Sequence, residues 1–359
     1  MRWNWELEDW PKFHYQEGTI DQQERQFLLG LGGSSAFLKT IETPDYKKFI
    51  VEVLVQEGQE SSRIEGEFLD RESLQSSIKR QFGLASPARK IGRGEQGMAE
   101  LLCDVYESYN EPLNHAMLWK WYGLLFHTTE RAYRSHPEPM QIISNRYDRP
   151  RVFFEAPPSE QVYCEMERFI TWFNTPHPSI LAKAALAHVY FESIHPFEDG
   201  NGRIGRALIE KVLSQGINRP VLIAVSKILE RRKKEYYEQL GFCNKTLSVT
   251  PWVAFMAEVI LQAETDAARL LQFLVQKGRL LAALSGKLNP RQEKVLVRLF
   301  EEGPDGFKGG LSAEKYGAIT KASRATITRD LSELVELGAL TKTGLLRHTR
   351  YWLNFLLPQ

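Results

Sequence analysis

The sequence predicts a mainly α-helical protein with one small β-hairpin and a separate C-terminal unit. Apolar residues recur every three or four positions through most of the chain, which is typical of amphipathic helices. In one such stretch they are Tyr46, Phe49, Ile50, Val53 and Leu54. Strand-like runs first occur between residues 140 and 156, on either side of turn-forming residues. A change in composition near residues 286–290 marks the start of the C-terminal unit.

The composition is that of an ordinary globular protein. The chain has 359 residues, 43% hydrophobic and 25% charged, which is enough to build a core. Its net charge of +1 favours neither nucleic acid nor membrane as a partner. Three widely spaced cysteines give no disulfide framework or zinc spacing. The chain also lacks an apolar signal core and a run of about 18 apolar residues, so we expect a cytoplasmic protein without a membrane span.

The predicted elements follow from periodicity and breaker residues. Helices are expected over residues 45–56, 61–69, 71–82, 99–109, 113–126, 160–173, 181–194 and 203–215. Gly58 is interpreted as the end of the first helix, Gly216 as the C-terminal cap of the last, and residues 86–94 as a polar loop. The runs 141–144 and 151–154 form the two strands of the hairpin.

The most informative segment runs from His195 to Arg206 and reads HPFEDGNGRIGR. Its glycines precede a predicted helix, whose first N–H groups lack internal partners and attract phosphate. Arg203 and Arg206 lie three apart on that helix, and arginine forks match phosphate oxygens. Asp199 is a hard oxygen ligand suited to Mg²⁺, and His195 titrates near neutral pH, as a general base requires. The alternative is a capped loop between two core helices.

This segment resembles the Fic motif, His-x-Phe-x-Asp/Glu-Gly-Asn-Gly-Arg-x-x-Arg, and matches it at every defined position. The resemblance implies an all-helical Fic-type bundle and transfer of AMP from ATP to a hydroxyl of a target protein. It makes His195 the general base and Asp199 the Mg²⁺ ligand. It also implies the phosphate-binding residues, which are Gly200, Asn201, Gly202, Arg203 and Arg206.

The same resemblance extends outside the motif. The predicted hairpin occupies the position of the family's flap, which pairs with target backbone by strand addition. Its first strand contains Met140, Gln141, Ile142, Ile143 and Ser144. Residues Tyr236, Tyr237 and Asn244 resemble the family's adenine pocket, although two adjacent tyrosines on a helix are also typical of simple packing.

Residues 61–66 resemble the family's inhibitory motif, Ser/Thr-x-x-x-Glu-Gly/Asn. Ser61 and Glu65 are four apart and are expected to share one helix face, with Gly66 following them. The resemblance implies that Glu65 pairs with Arg206 in the place of the γ-phosphate, so that ATP cannot adopt the reactive geometry. The alternative is a surface serine and glutamate without partners. A homodimer stays open, because inhibitory helices are often controlled by assembly.

The C-terminal unit resembles a winged helix-turn-helix. A short helix over residues 312–320 precedes a second helix that Ser323 caps, and strands near residues 340–343 and 350–353 would form the wing. The outward-facing candidates are Arg324, Thr326, Thr328 and Arg329 on the helix, and Lys342, Arg347, His348 and Arg350 on the wing. From residue 289 onward, eleven Lys or Arg stand against eight Asp or Glu, which leaves both DNA and protein docking open.

We therefore expect three parts, a helical region over residues 1–98, a catalytic core over 99–285 and the winged unit over 286–359. The predicted activity is a self-restrained protein adenylyltransferase that uses ATP and Mg²⁺ and acts on an unknown protein and on itself. A DNA-binding regulator that senses nucleotide, and an enzyme that removes AMP, are the alternatives. No phosphate-binding P-loop occurs, and the glycines at 92, 94 and 97 lack the strand that a dinucleotide site needs.

Overall fold

A computed structural model describes residues 2–38, 43–86, 90–143 and 152–355. It divides into two compact units. The first comprises Met1–Phe37 and Ile50–Ala267, and the second comprises Leu38–Phe49 and Ala268–Gln359. The mainly helical class predicted from the sequence is confirmed.

The N-terminal half of the chain is helical up to the hairpin. The helices are α1 (Asp21–Leu38), α2 (Thr43–Ile64), α3 (Arg71–Gln81), α4 (Arg93–Glu107) and α5 (His115–Phe126). Side-chain caps define two of the starts, because the Asp70 carboxylate accepts from the Ser73 N–H and the Asn114 amide oxygen accepts from the Met117 N–H, each at 2.8 Å.

The hairpin consists of two short antiparallel strands, β1 (Gln141–Ile143) and β2 (Val152–Glu155). Gln141 faces Glu155 across the pair and Ile142 faces Phe154. The predicted hairpin is thus confirmed where the structure describes it. Ser144 and residues 145–151 lie outside the described residues.

A second run of helices carries the motif. They are α6 (Ser159–Phe173), α7 (Ile180–Ile194), α8 (Asn201–Ile217), α9 (Val225–Arg231), α10 (Lys233–Cys243) and α11 (Thr250–Ala283). Helix α7 is buried on nearly all sides and packs along α8, as its apolar sequence predicts. The Trp252 indole, itself fully buried, donates to the Ala185 carbonyl at 2.8 Å and fixes α11 against α7.

Four predictions about glycine-containing segments are wrong. Gly58 lies inside α2, where a Cβ would come within 3.0 Å of Leu102 and Met98, so it permits close helix packing. The expected helix over residues 61–69 ends at Ile64. Gly216 lies within α8, and Asn218 caps that helix in a left-handed conformation instead. The expected loop over residues 86–94 already contains the start of α4 at Arg93, with Gly92 as its N-cap.

The second unit has its own core. Its elements are α12 (Pro290–Glu301), α13 (Ala313–Thr320), α14 (Arg324–Glu336), β3 (Leu340–Thr343) and β4 (Arg350–Leu353). Ser312 and Ser323 cap α13 and α14, and β3 pairs antiparallel with β4, as predicted. Asp330 is buried and accepts hydrogen bonds from Tyr316, Arg291 and Asn289, which ties α12, α13 and α14 together.

Among the described residues, none of the helices has the length and apolar character needed to cross a lipid bilayer.

Candidate active site

The loop between α7 and α8 brings the motif residues together. His195 follows the last residue of α7 with a left-handed backbone (φ 50°), and its N–H donates to the Phe191 carbonyl at 3.0 Å. Gly200 is also left-handed (φ 78°) and precedes α8. A Cβ at Gly200 would lie 2.7 Å from the Phe126 ring, so this position requires glycine.

Asn201 holds the loop rather than offering its amide to a ligand. Its Nδ2 donates to the Phe197 carbonyl at 2.8 Å, and its Oδ1 accepts from the Phe197 N–H at 3.0 Å. Both ends of the buried amide are therefore used within the loop. Its backbone N–H, at the start of α8, has no partner inside the helix.

The carboxylate of Glu65 occupies the N-terminal end of α8. A Cβ at Gly202 would overlap Glu65 Oε1, so the absence of a side chain at Gly202 is what admits the carboxylate. Glu65 directly follows α2, and Gly66 reverses the chain there with φ 84°. The Glu67 N–H then donates to the Ser62 carbonyl at 3.0 Å and closes the helix end.

Arg206 joins α8 to residues 61–65. Its side chain is 1% exposed, and its Nη2 donates to Glu65 Oε1 at 2.7 Å. Its Nε donates to the Ser61 hydroxyl at 2.9 Å, and Nη2 also donates to the Ser61 carbonyl at 2.8 Å. Burial alone would lower the pKa of Arg206, but the charge and hydrogen bond of Glu65 raise it above its ordinary value. The predicted Ser61, Glu65 and Arg206 are thus in contact.

Arg203 makes a second ion pair, with Glu67, which lies two residues after Glu65. Its Nη1 donates to Glu67 Oε2 at 2.6 Å, and its guanidinium lies 5.2 Å from the centre of the Phe126 ring. The Asp199 carboxylate lies 3.8 Å away and is 70% exposed. Sequence reasoning missed Glu67, although its position two residues after Glu65 was a usable signal.

His195 lies in a largely buried environment. Burial, which is the largest effect, and the nearby charge of Arg134 lower its pKa to about 4, against the opposing influence of the Glu192 main chain. The ring is therefore neutral at physiological pH and able to accept a proton. The nearest carboxylate is that of Glu192, whose Oε2 lies 3.7 Å from His195 Nδ1.

Arg134 fixes the loop and was also missed. It is 5% exposed, and its Nε donates to the His195 carbonyl at 2.8 Å. Its Nη groups donate to the Ser159 hydroxyl at 3.2 Å and to the Pro157 carbonyl. The guanidinium thereby joins the histidine loop to the segment that follows β2. No local pattern distinguishes this arginine from a surface one.

The three adenine-pocket candidates differ in accessibility. Tyr236 is 2% exposed, and its hydroxyl bonds His188 Nε2 at 2.8 Å. Burial and the charge of Arg206 lower the pKa of His188 to about 3, so its ring is neutral where it contacts Tyr236. Tyr237 is 46% exposed and donates to the Ile64 carbonyl at 3.2 Å, directly before Glu65. Asn244 is half-buried, and its carbonyl accepts from the Asn4 N–H at 2.8 Å.

The described part of the hairpin exposes apolar side chains. Ile142, Ile143 and Phe153 are 41%, 53% and 49% exposed, respectively. Within the described residues β1 pairs only with β2, so its other edge is open. Met140 anchors the base of the hairpin, because its carbonyl accepts from the Ala156 N–H at 3.0 Å.

Two family models and several known proteins match parts of this chain. The Fic/DOC family model matches residues 112–213, and a domain of unknown function, DUF4172, matches residues 3–84. The chain is 30% identical over 193 residues to Protein adenylyltransferase Fic of Drosophila virilis, covering 50% of this chain and 38% of that protein. It is 29% identical over 188 residues to the protein of the same name from Drosophila melanogaster, covering 48% and 37%. The chain thus spans well under half the length of these relatives.

Solved structures show the same fold. A Fic family protein from Desulfovibrio desulfuricans G20 aligns with 96% of this chain and 98% of its own, with a TM-score of 0.57 at 20% identity. A signaling protein that contains a Fic domain, from Bacteroides thetaiotaomicron, aligns with 71% of this chain and 98% of its own, with a TM-score of 0.52 at 19% identity. Residues 112–213 of the chain match the Fic/DOC family and carry the motif described above.

Proposed function

We propose that the protein transfers AMP from ATP to the hydroxyl of a tyrosine, threonine or serine in a protein, and that Glu65 restrains this activity. One observation carries the proposal. The Glu65 carboxylate lies at the N-terminus of α8 over Gly202 and pairs with Arg206, which is where an anionic nucleotide would bind. A segment that inhibits the enzyme by taking the place of a nucleotide phosphate would have an acidic side chain at this position.

The phosphates would bind along the start of α8. The backbone N–H groups of Asn201 and Gly202 lie in the first turn of α8, lack helical partners and favour negative charge there. The Gly200 N–H, which now donates to the Asp199 carboxylate, would join them once Asp199 has turned to the magnesium ion. Arg203 and Arg206 would hold the outer phosphates once Glu67 and Glu65 have left them. Asn201 maintains the conformation of the loop, because its side-chain amide is hydrogen-bonded to the main chain of Phe197.

His195 would act as the general base. Its lowered pKa keeps the ring neutral, so it is ready to take the proton of the target hydroxyl. The oxygen would then bond to the α-phosphorus while the bond from that phosphorus to the bridging oxygen breaks and pyrophosphate leaves. Arg134 positions the histidine, since it holds the His195 carbonyl.

Asp199 would hold a magnesium ion together with phosphate oxygens. Its carboxylate is 70% exposed beside the start of α8, and a hard oxygen ligand of this kind fits Mg²⁺. Bound there, the ion would neutralise phosphate charge. Among the described residues there is no cluster of three or more His, Cys, Asp or Glu that could hold a metal by itself.

Adenine and target would be held on either side of the loop. The half-exposed ring of Tyr237 offers a face for the purine, while Tyr236 supports it from the core and Asn244 supplies an amide. The open edge of β1 would pair with target backbone as an added strand.

The test uses ATP labelled on either the α- or the γ-phosphate. With the Glu65→Gly form, label from the α-phosphate is expected to become attached to protein, and label from the γ-phosphate is not. The matched control adds His195→Ala and should attach neither. Attachment of γ-label would instead indicate phosphoryl transfer, and release of α-label from premodified protein would favour AMP removal.

We also propose that the second unit is a winged helix and that it has a separate binding function. Helices α13 and α14 are followed by the hairpin β3–β4, and the outward side chains of Arg324 and Arg329 on α14 are exposed. Leu345 and Leu346 at the tip are 78% and 93% exposed, which favours a protein partner, including a second copy of the chain, over DNA. Salt-dependent binding of duplex DNA by the full chain, lost in Arg324→Ala with Arg329→Ala, would favour DNA.

A further inference from the structure

The carboxyl group of Glu192 lies beside the base in a position that the motif does not explain. Glu192 is one turn before His195 on α7, and its Oε2 is 3.7 Å from His195 Nδ1. The side chains of both residues are about 15% exposed, so neither has ready access to solvent. His195 Nδ1 and Glu192 Oε1 are both buried, and neither makes a hydrogen bond to another described residue.

A buried ring nitrogen without a partner is costly, and Glu192 Oε2, 3.7 Å away, is a carboxylate oxygen that can accept a hydrogen bond from it. Leaving either group unsatisfied costs about 1–3 kcal/mol. Hydrogen bonds of catalytic groups are often long before substrate binds and shorten afterwards. Here a shift of under about 1 Å would bring the pair to normal hydrogen-bond length.

We propose that the Glu192 side chain is a positioning residue that accepts a hydrogen bond from His195 Nδ1–H. The bond on one ring nitrogen determines which nitrogen is free. With Nδ1 protonated and held by Glu192, Nε2 carries the lone pair and accepts the proton of the target hydroxyl. Glu192 does not touch the reacting atoms. The role rests on the proposed AMP transfer, but the orientation of the ring can be measured without it.

The charges around Glu192 connect this role to inhibition. Burial first, and then the charge of Glu65, raise the pKa of Glu192 to about 8, while Arg206 opposes the shift. A carboxyl group that keeps its proton is a poor acceptor. Departure of Glu65 therefore favours the Glu192 carboxylate, and with it the active form of the His195 ring.

The geometry also explains why Gly205 lies opposite Glu192. A Cβ at Gly205 would come within 2.9 Å of Glu192 Oε1 and 2.8 Å of His188 Nδ1. Because α8 carries only a hydrogen there, the carboxyl group fits between the two helices. A larger residue would push it away from His195.

The test compares Glu192→Ala and Glu192→Gln in the full-length Glu65→Gly chain. Nitrogen-15 NMR of labelled histidine, with the His195 signals identified by their loss in His195→Ala, reports the proton on Nδ1 or Nε2. In Glu65→Gly we expect the proton of the His195 ring on Nδ1. Glu192→Gln should keep it there, because the amide oxygen still accepts a hydrogen bond. Glu192→Ala should give a mixture of the two tautomers. For AMP transfer, Glu192→Ala should lower kcat at least about tenfold with KM for ATP changed less than twofold.

Two outcomes separate the possibilities. Unchanged His195 signals and unchanged kcat in Glu192→Ala would overturn the inference and leave the Glu192 main-chain carbonyl as the orienting group. If no form transfers AMP, the proposed function fails, and the tautomer measurement still decides the role of Glu192. Glu192→Gln has nearly the same shape as the wild-type side chain, so it serves as the control for misfolding.

Discussion

Glu65 and Arg206, 141 positions apart in the chain, form an ion pair of 2.7 Å in which the arginine side chain is 1% exposed. Ser61 supplies two further acceptors, its hydroxyl and its carbonyl, to the same guanidinium. The pair lies over Gly202 at the start of α8, so a nucleotide phosphate that would bind there competes with the Glu65 carboxylate.

Removing the Glu65 carboxylate should strengthen nucleotide binding. A charge-assisted hydrogen bond contributes about 1.5–3 kcal/mol, so Glu65→Ala is expected to raise the affinity for a non-hydrolysable ATP analogue about 10- to 100-fold. Calorimetric titration measures this. The matched control is Glu60→Ala near the end of α2, where Glu60 pairs with Arg63 three residues away. Equal affinities for Glu65→Ala and Glu60→Ala would contradict the competition.

Glu67 should make a smaller contribution to the same effect. Its pair with Arg203 is 2.6 Å long, but its side chain is 40% exposed, and exposed pairs contribute at most about 1 kcal/mol. Glu67→Gln is therefore expected to raise nucleotide affinity less than about fivefold, as measured by the same titration. An increase equal to that of Glu65→Ala would contradict this ranking and show that the Arg203–Glu67 pair restrains binding as much as the Arg206–Glu65 pair does.

The pH profile should reflect a histidine that protonates only in acid. The pKa of His195 is about 4, chiefly because of burial, and the base must be neutral. In a Glu65→Gly form that also carries Glu192→Gln, so that residue 192 cannot titrate, kcat/KM for AMP transfer is thus expected to stay level from pH 8 to about 5. It should fall only as pH drops through about 4 or below, because Glu65 no longer raises the pKa of His195. A fall centred at or above the ordinary histidine value of 6.5 would rule this out.

Stability should decrease as pH rises, because α2 buries an acid. Glu57 is 2% exposed, and burial raises its pKa to about 7, with Glu60 adding to the shift and the Ser226 bonds and Arg206 opposing it. Burial and the charge of Glu57 also raise the pKa of Glu210 on α8. The folded state thus keeps a proton that the unfolded chain releases above about pH 4.5.

This stabilisation is fully present below pH 4.5 and is lost as pH rises through about 7. Urea unfolding of wild type and Glu57→Gln should show the wild type losing stability relative to the variant across that range. Glu60→Gln, which removes only a nearby charge that adds to the shift, should give a smaller change in the same direction as Glu57→Gln. Parallel curves for wild type and Glu57→Gln would mean that Glu57 does not hold the proton.

The contiguous part of the site could be predicted from sequence, and the long-range part could not. His195 to Arg206 lie close together because one short loop and the start of one helix contain them. Gly58 shows the limit of local rules, since its close approach to Leu102 depends on which helix packs there. The contact of Arg134 with the His195 carbonyl spans 61 positions, and no periodic pattern in the sequence indicates it.

Intact mass of the purified chain after incubation with ATP and Mg²⁺ tests the central claim most directly. Three forms are compared: wild type, Glu65→Gly, and Glu65→Gly with His195→Ala. The account predicts the added mass of AMP on the Glu65→Gly form, little or none on wild type, and none when His195 is replaced. Equal modification of wild type and Glu65→Gly, or modification that persists without His195, would contradict it.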